Sequence, residues 1–382
     1  MPPATDPMML GVYDGYLPLA HDQLSSLTKC GGNAVLHPIV AKSTQSTSGA
    51  VVTKAAVTTK NQLEEWTTCG VCQGKMYLLL QAFAPLPNTT DDSHNRMLYV
   101  YGCNSAQCAA KPSQSWVAVS LQVDREDDDA AAAEEEGDEE EEPIPVGPTP
   151  VEFLPNRSSF PPIAVDIMPE PSKETIVPTD IERRIIEETE ANASAGDAST
   201  EDVQELEDHI DLKNKPIDVS YDKFRRRIAR CPRQVLRYQR GGVPLFMNPL
   251  KSSELTVPPC EHCGGVRAME LQLLPTLLYF VHSKDYVSSG KPHGDDGVDF
   301  ATATIFSCAK GCLSKASSSS SSSDDSAPTI ILQKEFLFVE PAPSVVEEQG
   351  GVPDLRGYFA PEAKDASAAA AAVASDEADE AA

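Results

Sequence analysis

The sequence predicts a mainly β fold with minor helix: two related β modules, each stapled by four cysteines and packed as a pseudo-symmetric pair. Three observations predict it. A cysteine-led phrase occurs twice, short apolar runs of strand character surround each copy, and an acidic, proline-punctuated stretch separates them. The phrase reads CGVCQGKMYLLLQAFAP from Cys69 to Pro85 and CEHCGGVRAMELQLLP from Cys260 to Pro275. Each copy opens on C-x-x-C close to glycine and enters an apolar run. Each places a glutamine nine residues after its second cysteine, at Gln81 and Gln272.

The strand character is local. MYLLLQAF, RMLYVYGC and SWVAVSLQV form the first set; AMELQLLPTLLYFV, ATATIFSC and EFLFVE form the second. These runs are short, apolar or alternating, and rich in β-formers. Helical signals are few. The best covers 221–228, where Phe224 and Ile228 share a face and Pro232 stops the helix. Gln81 and Gln272 are read either as equivalent anchors or as outward-facing polar residues.

The separators are compositional. Asp124 to Glu142 holds thirteen acids and one arginine, so it repels itself and has little apolar surface to bury. Prolines punctuate 143–178, and a second acidic stretch runs to about Asp211, within which 182–190 reads as a short exposed helix. Serines fill 317–323, a flexible insertion, and the end of the chain beyond Gly350 reads as a tail. The expected layout is therefore a first module at 10–123, a disordered acidic and proline-rich linker at 124–214, a second module at 215–341 with a flexible loop near 315–327, and a disordered tail at 342–382.

Bulk properties narrow the function classes. The chain has 382 residues, a formal net charge of -27, 31 prolines and 6% aromatic residues. Such a charge opposes sequence-independent nucleic-acid binding and favours basic partners. No apolar run reaches the eighteen residues of a membrane span, and MPPATDPMML lacks a signal-peptide pattern. The expected setting is the reducing cytosol, with no membrane partner, where structural disulfides are rare.

Ten cysteines then need another role. Cys69, Cys72, Cys103 and Cys108 give C-x2-C-x30-C-x4-C; Cys260, Cys263, Cys308 and Cys312 give C-x2-C-x44-C-x3-C. Four thiolates at tetrahedral corners suit a structural Zn2+ ion, with sulfur about 2.3 Å from the metal. Up to two ions are expected, each tying a knuckle to the end of a strand. Gly264, and in the first copy Gly74, are the candidates for the tight backbone there. Disulfides lack a compartment, and the spacing does not resemble that of ferredoxins. Cys30 and Cys231 read as ordinary buried thiols, and His262 as an exposed bystander.

A closed four-cysteine shell leaves no open position for water, which argues against catalysis. PCEHC (259–263) matches half of the zinc-deaminase signature, yet none of the seven histidines begins the H-x-E it also needs. No phosphate-binding glycine loop or nucleophile elbow appears. No enzyme is expected.

Other features carry weaker readings. The pairs Gly31–Gly32 and Gly241–Gly242 precede their knuckles and are read as a partner-binding loop or, more plainly, a bulge or tight turn. Phe224 to Arg240 carries seven arginines interleaved with apolar residues, read as packed entry to the second module or as an RNA contact. Val203, Leu206, Ile210 and Leu212 have the spacing of a leucine-rich nuclear export signal, which would bring in an export receptor and passage through the nucleus.

TKCGG (28–32), the first C-x-x-C, LLLQAFAPL, RMLYVYGC and SWVAV resemble the amino-terminal half of the programmed cell death protein 2 family, which includes a twenty-S rRNA accumulation factor. FRRRIARCPRQVLRYQRGGVPLF (224–246), PPCEHCGGVRAMELQLLP and IFSCAKGC resemble its carboxy-terminal domain. The tryptophan usual beyond the first glycine pair is missing from GGNAVLHP, and so is the zinc-finger insert of some animal members. The resemblance implies a dedicated chaperone that escorts one basic small-subunit ribosomal protein (S two, of the universal S-five family) into 40S ribosome biogenesis. A monomer bound one-to-one to that client is expected. Its acidic run, including Asp127, Asp128 and Asp129, either attracts the client or merely solubilises the chain. A zinc-ribbon protein that binds RNA or DNA, and a transcriptional or apoptotic adaptor, are the alternatives.

Overall fold

The computed structural model describes residues 7–23, 27–36, 54–86, 95–109, 111–124, 145–148, 159–172, 219–249, 255–287, 295–312 and 329–342. Ten strands among them close into one barrel: β1 (Met9–Tyr16), β2 (Lys29–Cys30), β3 (Tyr77–Phe83), β4 (Asn95–Gly102), β5 (Trp116–Asp124), β6 (Ile163–Pro169), β7 (Gln234–Tyr238), β8 (Arg267–Leu273), β9 (Thr302–Cys308) and β10 (Thr329–Glu340). The order around the barrel is β1-β6-β2-β3-β4-β5-β10-β9-β8-β7, and every pairing is antiparallel. Closure leaves no free sheet edge to blunt.

Alternation fixes what faces where. On β4 and β5, Met97, Tyr99, Tyr101, Val119 and Leu121 join an outer cluster with Leu63, Met76 and Leu78. Arg96, Leu98, Val100, Ala118, Ser120 and Gln122 therefore point into the barrel. Burial on both faces explains why β3 reads as a continuous apolar run rather than a clean alternation. Helix α1 (Lys54–Trp66) covers the outer cluster through Leu63 and Trp66, and the Lys334 ammonium sits 4.6 Å from the Trp66 ring centre.

The two halves share the barrel, which refines the paired-module expectation. The first (7–172) contributes β1 to β6 and the second (219–342) β7 to β10. They meet along two seams, β1 with β7 and β5 with β10. Strand β10 changes neighbours along its length: 329–335 pairs with β5, and 336–340 with β9. Neither half is a closed layer by itself.

One boundary needs correction. Residues 163–169 fall in the stretch read as linker (124–214), yet they form β6 between β1 and β2. Phe160 and Ile163 are fully buried there. The composition of the surrounding chain masked a short apolar run, SSFPPIAVDIM. Helix was also underestimated: α1 was not foreseen, and the AMELQLLPTLLYFV run breaks at Pro275 into β8 and the helix Thr276–Val281. The helix read at 221–228 is present as Val219–Ile228, with Phe224 and Ile228 packed on Leu245, Leu274 and Met247. The second acidic stretch, the serine tract and the tail lie outside the described residues, as do Asp127, Asp128, Asp129, Val203, Leu206, Ile210 and Leu212.

Candidate metal centres

Each knuckle is a tight turn built the same way twice. The amide of Cys69 bonds Gly74 O at 2.8 Å and that of Gln73 bonds Cys69 O at 2.8 Å; Cys260 with Gly265 O and Gly264 with Cys260 O repeat both bonds at 2.8 Å. The left-handed position is Gly264 (φ 64°) in the second copy and Gln73 (φ 59°) in the first. This corrects the assignment of that strain to Gly74. The glycine of the first copy stands one position late, so a side chain bears the conformation.

The strands beyond repeat the register as well. Gln81 opposes Tyr99 and Leu80 opposes Val100; Gln272 opposes Thr304 and Leu271 opposes Ile305. The register slips at the same place in both ladders, between Leu78 and Leu80 and between Met269 and Leu271. Cys103 and Cys308 therefore arrive at corresponding ends of β4 and β9. The four sulfurs of each quartet meet because two registered strands and one turn converge in each half.

The cysteine sulfurs do converge. In each quartet, Cys69–Cys72–Cys103–Cys108 and Cys260–Cys263–Cys308–Cys312, all sulfurs lie within 4.8 Å of one another. Cys72 to Cys103 is 3.6 Å, Cys263 to Cys308 is 3.6 Å, and Cys260 to Cys312 is 3.3 Å. A tetrahedron with metal–sulfur bonds of about 2.3 Å spaces its sulfurs about 3.8 Å apart. Disulfide sulfurs would sit about 2.05 Å apart, and all ten cysteines are free thiols. Both quartets can hold zinc.

The thiol electrostatics differ between the groups. Burial pushes Cys308 up, but the backbone amides of Cys312 and Lys310 and the neighbouring thiols outweigh it and pull the group down to about 7. Cys312 and Cys103 are raised, by burial first and then by hydrogen bonding among the thiols. A metal ion supplies the charge that lets such crowded thiols ionise together. Cys30 is fully buried and its thiol is pushed far up by burial, which fits an inert core residue; Cys231 is half-buried. His262 is exposed, as its place in the knuckle led one to expect.

Gln81 and Gln272 are not exposed to solvent: each lies beneath the chain that follows its glycine pair. Both are fully buried. Gln81 accepts from the Val35 amide at 2.9 Å and donates to Leu27 O at 3.0 Å. Gln272 accepts from the Leu245 amide at 3.0 Å and donates to Leu245 O and Thr304 Oγ1, each at 3.0 Å. Val35 and Leu245 both stand four residues after the first glycine of their pair, so one amide clamp per half holds the chain after the glycines.

The glycine pairs sit at turns. Gly31 and Gly32 are buried with φ of 66° and 67°, and a Cβ would meet Pro161 O at 2.2 Å and Asp22 Oδ1 at 2.1 Å. This buried, left-handed backbone fits the tight turn that is the plainer reading of Gly31 and Gly32. Gly241 takes φ 74° and, with Gly242, is half-buried at the corresponding turn.

The arginine-rich stretch divides by role. Arg227 and Arg237 both pair with Glu170, which follows β6. Arg240 lies 3.3 Å from Glu270, a fully buried carboxylate that Arg96 grips with two bonds of 2.6 and 3.0 Å. Burial alone would raise Glu270, but Arg96 and Arg240 outweigh it and hold the carboxyl below the usual carboxylate range. Glu335, beside Arg96 and Arg267, is instead raised by its burial.

Residues 40–135 match the N-terminal domain of programmed cell death protein 2, and residues 218–335 match its C-terminal putative domain. The chain belongs to the programmed cell death protein 2 family. Relatives include the human programmed cell death protein 2-like, 37% identical over 95 residues, which are 25% of this chain and 24% of that protein. The chicken protein of the same description is 34% identical over 96 residues, 25% of this chain and 23% of its own. Bovine programmed cell death protein 2 is 29% identical over 142 residues, 37% of each chain. The chain thus spans about a quarter to a third of the curated relatives' length. No solved structure matches it. The N-terminal match contains β3 to β5 and the C-terminal match β7 to β9 with the start of β10, so both matched domains contribute strands to one barrel, while β1, β2 and β6 lie outside the matched ranges.

Sequence reasoning found all eight cysteines. It missed the residues that anchor their loops, Asn104, Ser105, Arg240 and Asp295, because each acts on a partner far along the chain. The only local hint was N-S between two ligands, polar residues at a place where a loop of that length has little else to pack.

Proposed function

We propose that this chain is a zinc-bearing chaperone that captures a basic small-subunit ribosomal protein and escorts it toward 40S assembly. The observation that carries the reading is the pairing of two closed cysteine quartets with a strongly acidic chain: a rigid, doubly stapled barrel beside negative charge. Family membership supports it further. Free ribosomal proteins are basic and lack their RNA, so an acidic partner masks their charge and speeds encounter. Zn2+ fills each quartet and is structural, since four thiolates close its shell; binding, not catalysis, is then the activity. Work in the cytosol, with passage through the nucleus on the export motif at 203–212, follows from the same reading.

The test is affinity purification of the full chain at moderate salt, with bound proteins identified and zinc quantified. One small-subunit ribosomal protein at one-to-one stoichiometry, with two zinc ions per chain, is expected. A broad set of RNAs without such a protein would overturn the chaperone reading in favour of direct nucleic-acid binding.

A further inference from the structure

Each cysteine loop is tied to the opposite half of the barrel, the first directly and the second through a chain of ion pairs. In the first, the residues directly after Cys103 reach the second half. Asn104 Nδ2 donates to Ser283 O at 3.0 Å, and its Oδ1 accepts from the Val298 amide at 2.8 Å. Ser105 Oγ and the Ala106 amide both donate to the Asp295 carboxylate at 2.7 Å. Asn104 and Ser105 are buried by these contacts. In the second loop, Cys308 O accepts from Arg240 Nη2 at 2.5 Å, while Arg240 Nη1 lies 3.2 Å from Ser307 Oγ and 3.3 Å from Glu270. Glu270 is bound in turn by Arg96 of the first half.

The repeat supplies the loops but not these grips. Glu270 sits in the β-bulge of β8, and its counterpart in the bulge of β3 is Leu79, which is apolar and fully buried. Asp295 precedes β9 and accepts from Ser105 and Ala106 of the first half as well as from the Gly297 amide of its own stretch. Different residues therefore do the same job on the two sides.

We propose that the cysteine loops are clasps: metal in each quartet fixes a loop tied to the opposite half, directly through Asp295 in the first and through Arg240, Glu270 and Arg96 in the second, so metal occupancy and barrel closure are thermodynamically linked. Asp295 and Arg240 are the positioning residues that transmit the linkage. This rests on the reading of both quartets as zinc sites. The loops between the later ligands are only four and three residues long, and four bonds to one ion restrict them far more than their own packing can. Linkage is reciprocal: whatever the ion does for the seam, the seam does for the ion. Groups that orient a ligand loop without touching the metal typically change its affinity by about 10–100-fold.

The experiment uses the full zinc-loaded chain, a competing chelator titrated against it, metal counting by native mass spectrometry, and hydrogen exchange read by segment. Asp295→Ala should release the first-quartet zinc at roughly 10–100-fold lower chelator and speed exchange at 283–298, with the second zinc held as before. Arg240→Met should release the second zinc over the same range and speed exchange at 267–273, with the first zinc held. Cys-to-Ser changes within one quartet at a time assign each release. Asp295→Asn and Arg240→Lys, which keep a hydrogen-bonding group, should recover part of the retention and serve if the stronger changes prevent folding. Wild-type retention of both ions in all four variants would overturn the clasps, as would equal loss of both ions in each. A wild-type chain that holds no zinc would instead remove the metal reading beneath them.

Discussion

At the residue scale, Gln73 is the point where the two copies differ in conformational cost. It holds φ 59° where the second copy has a glycine, and left-handed backbone costs a side-chain-bearing residue about 1–2 kcal/mol. Gln73→Gly should therefore stabilise the fold by about 1 kcal/mol, seen as a higher urea midpoint at unchanged slope. Gly264→Ala should cost a similar amount. Glu270 gives a second prediction. Its carboxyl is held below its unfolded value, so between the two values the unfolded state binds the extra proton. Stability from this group is full above the unfolded value and lost as pH falls through the folded one. Glu270→Gln should lose about 3–5 kcal/mol at neutral pH, because Arg96 keeps only the more distant Glu335 and Arg240 loses its carboxylate, and should flatten the dependence of stability on pH through the acidic range. Denaturation midpoints measured from about pH 2 to 6, which spans the window below the ordinary carboxyl value of 4.5, decide it.

At the scale of elements, the decisive feature is a strand register copied with its defect. Both knuckles lead into strands that bulge at the same position, and the bulge re-aims the glutamine that clamps the loop after each glycine pair. Gln81→Ala and Gln272→Ala each remove the partner of a backbone amide and a carbonyl, part-buried at Gln81 and buried at Gln272, worth about 1–3 kcal/mol apiece. The two losses should be comparable, and Gln→Glu at either position should cost more, because a buried carboxylate would face the Leu27 or Leu245 carbonyl. Chemical denaturation of the single and double variants tests this. Strands β3, β4, β5, β8 and β9 were legible in the sequence because burial on both faces leaves apolar runs of strand length. Strand β1 was not, since VYDGY mixes polar and aromatic residues that find partners only in β6 and β7. Helix α1 was missed for the opposite reason. KAAVTTKNQLEEW has a weak apolar stripe, and what holds it is Leu63 and Trp66 on the outer cluster.

At the scale of the molecule, the halves complete one another. Strands that close the barrel pair residues more than two hundred positions apart, Gly11 with Leu236 and Leu121 with Leu332. Residues 7–172 and 219–342 expressed separately should be insoluble or lack cooperative unfolding, and together should form a soluble pair; a stably folded lone half would contradict the shared barrel. The acidic run acts at this scale too. Removing 127–142 should slow capture of the basic client and flatten the salt dependence of association, because steering by charge is screened within about 10 Å at 0.1 M salt. Unchanged rates at low salt would make the run a solubilising spacer. No helix among the described residues is long and apolar enough to cross a membrane.

The sequence by itself determined the ligands and the local grammar: eight cysteines, two knuckles, and the strands that present them. These depend on spacing and alternation along neighbouring residues, which one chain displays directly. Tertiary structure alone decided that two modules are halves of one closed barrel, that β6 lies inside what composition marked as linker, and that Asp295 reaches across to one cysteine loop while Arg240 ties the other to Arg96 through Glu270. Those facts depend on which surfaces meet, and a partner hundreds of residues away leaves no periodic trace in the segment it will bind.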